Sequence, residues 1–244
     1  MKKFFSKIAY AILPFLIFLL VLGVSYLGNQ ILTSAAKPGD FHYGTPWAHT
    51  PLDDKIPLVA EFIYVYYLTF PVGIITFFYM AYKNKTKLFD IFITLCLSFA
   101  ISGIIYFFFQ TRFIKPDFTP ESFTDKFVVW TWNSTNPTNC FPSQHCFMAI
   151  AIFIACVDGK EMKLWYRIFG CIIGILIVLA TVFTRQHFWV DFLASFAIMV
   201  PIWLLSRFSR SGKICAEKFD NFYLKIRNKI KKKGWSFFFY KYPL

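Results

Sequence analysis

Long apolar runs without a single charge are the feature that most limits how this chain can fold. Ile8–Leu27 and Ile91–Gln110 are each 20 residues long, and Phe62–Tyr82 adds a run of 21. About 20 mostly apolar residues in a helix cross the hydrocarbon core of a bilayer. Hydrophobic residues make up 57% of the 244 residues and charged residues only 16%, more apolar surface than a soluble domain of this size can bury. We therefore interpret the chain as an integral membrane protein.

Three further apolar segments follow, at about Phe141–Val157, Trp165–Phe183 and Phe188–Ser206. The first and the third begin within polar residues, and ionisable groups at the mouth of a membrane helix are costly and usually functional. Together the six segments predict an all-α bundle of six transmembrane helices over residues 1–206. Residues 207–244 predict a basic amphipathic tail that lies on the inner leaflet.

The basic residues indicate how this bundle is oriented. If the N-terminus is cytoplasmic, 20 of the 26 Lys and Arg fall on the cytoplasmic side, eleven of them from Arg207 onward. The positive-inside rule then predicts that both termini are cytoplasmic, in a plasma membrane that we expect to be bacterial. The excess of charge favours membrane lipids over nucleic acid as the partner, because it lies between apolar runs. The first run could also be a signal peptide, but its length favours an uncleaved anchor.

Two polar segments on the predicted outer side carry residues that can do chemistry. In Thr184-Arg-Gln-His-Phe-Trp-Val-Asp191, His187 and Asp191 are four residues apart and would share one helix face. A carboxylate there can hold one imidazole nitrogen and leave the other free to attack or to take a proton. Arg185 has the forked guanidinium that suits a phosphate oxyanion.

The other segment, Cys140-Phe-Pro-Ser-Gln-His-Cys146, predicts the start of a helix. Pro142 suits a first helical turn, and the free amides of that turn, with the Ser143 hydroxyl, would form an anion site. His145 lies just inside it, where it could donate a proton to a leaving oxygen. These groups indicate phosphoryl transfer through a phosphohistidine, without a metal or other cofactor. The alternative is that both histidines only cap helices at the interface.

The two segments resemble the signatures of a known enzyme family. Phe141-Pro-Ser-Gln-His145 is similar to the second signature of the type 2 phosphatidic acid phosphatases, the PAP2 superfamily, and Thr184–Asp191 to the third. The spacing is most similar to the branch that includes the inositol phosphorylceramide synthases. The resemblance implies that His187 is the nucleophile, that Asp191 orients it, and that His145 is the general acid.

The first signature of that family departs from its usual form here. The family has a Lys and, seven residues later, Arg-Pro, whereas this chain has Phe108 and Lys115-Pro116 at those places. Lys115 can supply the positive charge but not the paired hydrogen bonds that an arginine makes to phosphate. Arg112 could compensate for the missing arginine. The phosphate-binding residues that we expect are Ser143, Gln144, Arg185, Lys115 and Arg112.

Two other groups of residues could have a role outside these signatures. The loop before Phe62 contains His42, His49, Asp40, Asp53 and Asp54, but their spacing favours a lid or a plain loop over a metal site. The six cysteines show no metal-ligand spacing. Cys140 and Cys146 could pair only if the intervening chain bends, so we expect no disulfide there.

Three functions fit this sequence. The leading one is a lipid-phosphate phosphatase that hydrolyses a phosphomonoester or pyrophosphate of a membrane lipid, with its site at the extracytoplasmic end of the bundle. The second is a phosphotransferase, in which a lipid alcohol accepts the phosphoryl group or the phospho-headgroup. The third is a non-catalytic membrane protein, which only the altered first signature favours. The oligomeric state is not predicted.

Overall fold

The structure, a computed structural model, describes residues 50–109, 111–112, 115–135 and 138–232, with residues 42–43 and scattered positions between 12 and 31. Half of the positions of the first predicted span, Ile8–Leu27, therefore lie outside the described residues. Phe15, one of its described positions, contacts Phe78 with ring centroids 6.4 Å apart.

The described chain is almost entirely helical, as predicted. Its helices are α1 (Pro51–Lys55), α2 (Phe62–Tyr67), α3 (Thr69–Lys83), α4 (Lys85–Phe108), α5 (Phe123–Ser134), α6 (Gln144–Asp158), α7 (Leu164–Phe183), α8 (Trp189–Phe208) and α9 (Ser211–Lys232). Two strands of two residues each, β1 (His42–Tyr43) and β2 (Thr111–Arg112), pair in parallel.

Four of the described helical segments are long and apolar enough to cross a membrane: Phe62–Lys83, which joins α2 and α3, and then α4, α7 and α8. They agree with the predicted spans to within a few residues, except that α4 begins six residues before Ile91. The remaining predicted span is α6, which is apolar but has only 15 residues, about 22 Å of helix. The count of six spans stays a prediction.

α6 is the central helix of the bundle. It packs against α3, α4, α7 and α8, and ten of its 15 residues are buried. A helix surrounded in this way is apolar on all faces, so its sequence shows no amphipathic pattern. Its N-terminal turn, which carries His145, is thereby held within the bundle.

Two glycines let α7 approach α6 closely. A Cβ atom at Gly174 would lie 3.1 Å from the carbonyl oxygen of Ala149, and one at Gly170 would lie 2.2 Å from Sγ of Cys156. Small residues four apart allow this contact between membrane helices. At the far end of the interface, Arg167 donates to the carbonyl oxygens of Cys156 and Val157, at 2.8 and 2.9 Å. These bonds give partners to carbonyl oxygens in the last turn of α6, which have no partner within the helix.

The tail forms helix α9, and part of its apolar face packs on the bundle. Phe219 is buried and lies 5.6 Å from Phe89 of α4, measured between ring centroids. The amide of Gly212 donates to the buried carboxylate of Asp90 at 3.0 Å, and Lys85 pairs with Asp220. The tail is therefore tied to the start of α4. Its contact with the inner leaflet stays a prediction.

Candidate active site

The two polar segments meet at one end of the bundle. His145 is in the first turn of α6, and His187 lies in the connection between α7 and α8. Their ring centroids are 6.0 Å apart and the rings are tilted by 53°. Residues 42 positions apart in sequence are thus brought next to each other.

The tautomer of His187 follows from its hydrogen bonds. Its Nδ1 lies 3.0 Å from Oδ2 of Asp191 and 3.1 Å from the carbonyl oxygen of Cys140. A carbonyl oxygen can only accept, so Nδ1 carries the hydrogen and Nε2 keeps its lone pair. Asp191 is fully buried, and the same Oδ2 accepts the amide of Phe188 at 3.1 Å. The carboxylate is therefore held in place against the imidazole.

Burial keeps His187 neutral. Desolvation is the largest cause that lowers the pKa of His187, and the positive charge of Lys115 is the second. The hydrogen bond to the Cys140 carbonyl raises the pKa by a smaller amount, and the result is a pKa of about 3. A neutral imidazole with a free Nε2 is the form that can act as a nucleophile.

The connection that carries His187 is held by several hydrogen bonds. The backbone amides of Gln186 and His187 both donate to the carbonyl oxygen of Thr181 at 3.0 Å. The indole Nε1 of Trp132 donates to the backbone carbonyl oxygen of Thr184 at 2.9 Å. Arg185 adopts a left-handed conformation with φ of 53°, which turns the chain between α7 and α8. The position of His187 is thus fixed by the backbone around it.

Arg185 makes contacts that the sequence did not indicate. Its guanidinium donates to the backbone carbonyl oxygens of Asp53, at 2.9 Å, and of Ile56. Asp53 is itself buried, and its Oδ1 accepts the amide of Trp189 at 3.0 Å. Hydrogen bonds therefore hold the segment around α1 against the turn. The sequence favoured an ordered lid or a plain loop here. A role of Arg185 in binding phosphate stays a prediction.

His145 rests against a tyrosine that was not predicted. The rings of His145 and Tyr66 are stacked, with centroids 4.4 Å apart, and the Tyr66 hydroxyl lies 3.4 Å from Nδ1. Phe70 meets the imidazole edge-on at 6.0 Å. Because these contacts involve Nδ1 and the ring face, Nε2 is the nitrogen left for proton transfer.

Ser143 is the N-cap of α6. Its buried hydroxyl accepts the amide of Cys146 at 3.2 Å, so the helix begins at Gln144. Pro142 comes before the cap, and its predicted place in the first turn is wrong, because the serine hydroxyl is the better cap. The amides of Gln144 and His145 find no acceptor in the part of the chain that the structure describes, so this helix terminus can receive an anion.

Lys115 and Gln186 form a second polar pair beside the histidines. Nζ of Lys115 donates to Oε1 of Gln186 at 3.1 Å and lies 5.8 Å from the ring centroid of Trp132. An ammonium can only donate, so the amide oxygen of Gln186 must face it. The Nε2 atom of Gln186 is buried and has no acceptor within the described ranges. Burial lowers the pKa of Lys115 to about 8.

The other predicted residues are less well defined. Gln144 is half-buried at the first position of α6, and the backbone of Arg112 lies in β2, opposite Tyr43. The side chain of Arg112, and the loop residues His49 and Asp40, lie outside what the structure describes. All six cysteines are free, Cys140 and Cys146 among them. The described residues contain no group of three or more His, Cys, Asp or Glu that could hold a metal ion.

Sequence reasoning did not single out Gln186 and Tyr66, and it named Asp53 only as one of the residues of the loop before Phe62. Gln186 could have been found from its place beside His187, inside the third signature. The contacts of Tyr66 and Asp53 could not, because these residues come from elements far from the signatures along the chain.

Comparison with known proteins gives one match, to a family model. No curated protein and no solved structure shows significant similarity to the chain. The family model described as the PAP2 superfamily matches residues 87–211. This stretch is just over half of the chain and contains both histidines and Asp191. The branch that includes the inositol phosphorylceramide synthases is not distinguished by this match. The chain belongs to the PAP2 superfamily.

Proposed function

We propose that this protein is a lipid-phosphate phosphatase that works through a phosphohistidine. Members of the PAP2 superfamily are generally phosphoesterases, which supports a reaction of this class. The observation that carries the proposal is the pair of imidazoles 6.0 Å apart. Nδ1 of His187 is occupied, and its Nε2 has no partner among the residues that the structure describes.

In the first step, Nε2 of His187 attacks the phosphorus of the lipid phosphate. The bond between phosphorus and the leaving oxygen breaks, and His145 donates a proton to that oxygen. His145 enters this step as an imidazolium, a form that the negative charge of the bound phosphate favours. Asp191 stabilises the charge that develops on the His187 ring. In the second step, water attacks the phosphorus of the phosphohistidine and gives a proton to His145, while the bond between phosphorus and Nε2 of His187 breaks. Inorganic phosphate leaves and both histidines return to their starting state.

The groups around the histidines suit a phosphoryl group. The amides of Gln144 and His145, the Lys115 ammonium and the amide of Gln186 are donors that can face the non-bridging oxygens, on which charge accumulates. The Ser143 hydroxyl, Arg185 and Arg112 complete the set that we propose. None of the proposed steps requires a metal ion.

We further propose that this end of the bundle faces the extracytoplasmic side. The support is the basic residues at the opposite ends of the helices, such as Lys87, Lys163 and Arg207, which the positive-inside rule assigns to the cytoplasm. A phosphatase so placed would act on a lipid of the outer leaflet.

The test is release of phosphate by the purified protein in detergent and EDTA. Phosphatidic acid and an isoprenyl pyrophosphate are supplied in turn, each with native protein and with folded His187→Ala. We expect release that disappears in the variant, and an acid-labile phosphoenzyme after quenching with labelled substrate. Strict dependence on an added divalent ion would overturn the mechanism. A new labelled lipid formed from an added lipid alcohol would indicate the phosphotransferase instead.

A further inference from the structure

Lysine side chains gather at the end of the bundle opposite the histidines, where α3 ends and α7 begins. α3 ends at Lys83. α7 runs from Leu164 to Phe183, so Lys163 and His187 are separated by its whole length, about 30 Å. The surface at this end therefore takes no part in the proposed reaction.

An apolar groove of about 520 Å³ lies between these two helix ends. Tyr166 of α7 forms its floor, because the side chain is buried and its hydroxyl bonds with that of Thr76 of α3 at 2.9 Å. Ile75 of α3 and Trp165 of α7 form its sides. They are 56% and 64% exposed, so both walls reach the surface of the bundle.

Two ammonium groups lie at the end of this groove. Lys163 lines it directly. Nζ of Lys83 lies 6.0 Å from the ring centroid of Tyr79 and 5.7 Å from that of Tyr82, and both tyrosines line the groove. Among the residues that the structure describes, neither ammonium forms an ion pair with a carboxylate.

The carboxylates that precede α7 are paired with other cations. Glu161 pairs with Lys87 at 3.2 Å and Asp158 with Arg207 at 3.4 Å. The first turn of α7 contains no acidic residue. The groove thus combines apolar walls with positive charge that no neighbouring carboxylate balances.

We propose that this groove binds a phospholipid with an anionic headgroup, drawn from the leaflet at this end of the bundle. Basic pockets between membrane helices bind such headgroups. The phosphate lies at Lys163 and Lys83, and a hydrocarbon chain lies between α3 and α7. From Ile74 to Tyr82 the groove extends about 12 Å along α3, close to the hydrocarbon depth of one leaflet.

The charge of the groove favours this occupant over a segment of the chain itself. Phe15 of the first predicted span contacts Phe78, which lines the groove, so the residues before Phe15 are the alternative occupant. They carry three lysines and no acidic residue, and their charge would oppose that of the groove lysines. A lipid phosphate carries the complementary charge.

The headgroup rather than the hydrocarbon chain decides the affinity. A chain that moves from a bilayer or micelle into the groove gains little hydrophobic free energy, since both surroundings are apolar. Each lysine beside the phosphate contributes about fivefold in affinity. An anionic lipid should therefore bind the folded protein, and stabilise it, in preference to a zwitterionic one.

The thermal midpoint of the purified protein in detergent tests this preference. Dioleoyl phosphatidylglycerol and dioleoyl phosphatidylcholine are titrated separately, and we expect only the first to raise the midpoint, by about 5 °C. Glycerophosphoglycerol, which lacks the chains, and inorganic phosphate should not raise it. Equal increases with the two lipids, no increase with either, or a full increase with a chain-free phosphate would overturn the proposal.

Lys163 and Lys160 form a matched pair for the headgroup. Both are exposed, but only Lys163 lines the groove. In Lys163→Gln, the phosphatidylglycerol concentration that gives half of the increase should be about five times higher. Lys160→Gln should match the native protein. Equal effects of the two variants would assign the preference to the diffuse charge of this surface and overturn the site.

Ile75 and Ile172 form a matched pair for the hydrocarbon chain. They are 56% and 54% exposed, but only Ile75 lines the groove. Ile75→Trp should remove the lipid-dependent increase, and Ile172→Trp should keep it. An increase that persists in Ile75→Trp would overturn the proposal, and a lower midpoint of that variant without lipid would then indicate a segment of the chain as the occupant. Phosphate release does not enter these measurements, so they decide on the lipid site whether or not the proposed function holds.

Discussion

The Nδ1 atom of His187 lies 3.0 Å from Oδ2 of Asp191, although the two residues do not share a helical face. α8 begins at Trp189, so His187 lies before the helix and Asp191 is in its first turn. The contact was predicted correctly from the spacing of four residues, but the predicted reason was wrong. The chain turns at the helix N-terminus, where the Asp191 carboxylate also accepts the amide of Phe188.

Replacement of this carboxylate should remove turnover but not folding. In Asp191→Asn the Cys140 carbonyl still holds the tautomer of His187, but the negative charge that stabilises the imidazolium is lost. We expect kcat to fall by about 10³- to 10⁴-fold with an unchanged thermal midpoint. Phosphate release and thermal unfolding in detergent measure the two effects. A variant with native turnover would contradict the role proposed for Asp191.

The pKa of Lys115, about 8, predicts how the activity depends on pH. Below that pH the ammonium is charged and can bind the anionic substrate; above it the charge is lost, so kcat/KM should fall as pH rises through 8. Lys115→Arg keeps its charge at high pH and should lack this decline. The control is Lys126→Arg, on the exposed surface of α5. If kcat/KM of Lys115→Arg falls at the same pH as that of the native protein, the decline is caused by the titration of another group.

The Tyr66 hydroxyl should contribute to proton transfer by His145. Tyr66→Phe keeps the stacked ring and removes only the contact at 3.4 Å with Nδ1, so kcat should fall about two- to tenfold. Tyr67→Phe is the matched control, because its neighbouring hydroxyl bonds to Thr131 at 3.1 Å instead. Equal effects of the two variants on kcat would show that the Tyr66 hydroxyl has only a structural role.

The bonds of Arg185 predict a loss of stability on substitution. Arg185→Lys cannot donate to the carbonyl oxygens of Asp53 and Ile56 in the same geometry, so the protein should lose about 1–3 kcal/mol of unfolding free energy. Arg210→Lys is the control, since Arg210 has a similar φ of 57° but an exposed side chain. Thermal unfolding in detergent measures the difference. A higher KM with unchanged stability would favour phosphate binding as the main role of Arg185.

The close contact of α6 and α7 predicts that a destabilising substitution in α7 can be compensated by a smaller side chain in α6. Gly170→Ala would bring a methyl group to 2.2 Å from Sγ of Cys156 and should cost about 1–3 kcal/mol by overpacking. Cys156→Ala removes that sulfur, so the double variant should recover much of the loss. Gly23→Ala, with no described atom within 4 Å of the added Cβ, should be neutral. Additive losses in the double variant would contradict this packing.

Much of the fold could be predicted because each membrane helix is encoded locally. Length and apolarity alone indicate a span, and the described helices differ from the predicted ones mainly at their ends. Those ends depend on particular hydrogen bonds, such as the cap that Ser143 provides for α6. The amphipathic pattern of residues 207–244 likewise predicted a helix, which the structure describes over Ser211–Lys232. The attachment of that helix to Asp90 required a contact between distant parts of the chain.

At the candidate site, too, some features could be predicted from the sequence and others could not. His145, His187, Asp191 and Ser143 could be named from the sequence, because two short segments contain them in the order and spacing of the family signatures. That Tyr66 stacks on His145, that Gln186 faces Lys115 and that Arg185 holds α1 were decided only by the tertiary structure. These contacts join residues from separate helices and loops, and side-chain contacts between such elements depend on how the whole bundle packs. No local pattern in the sequence carries that information.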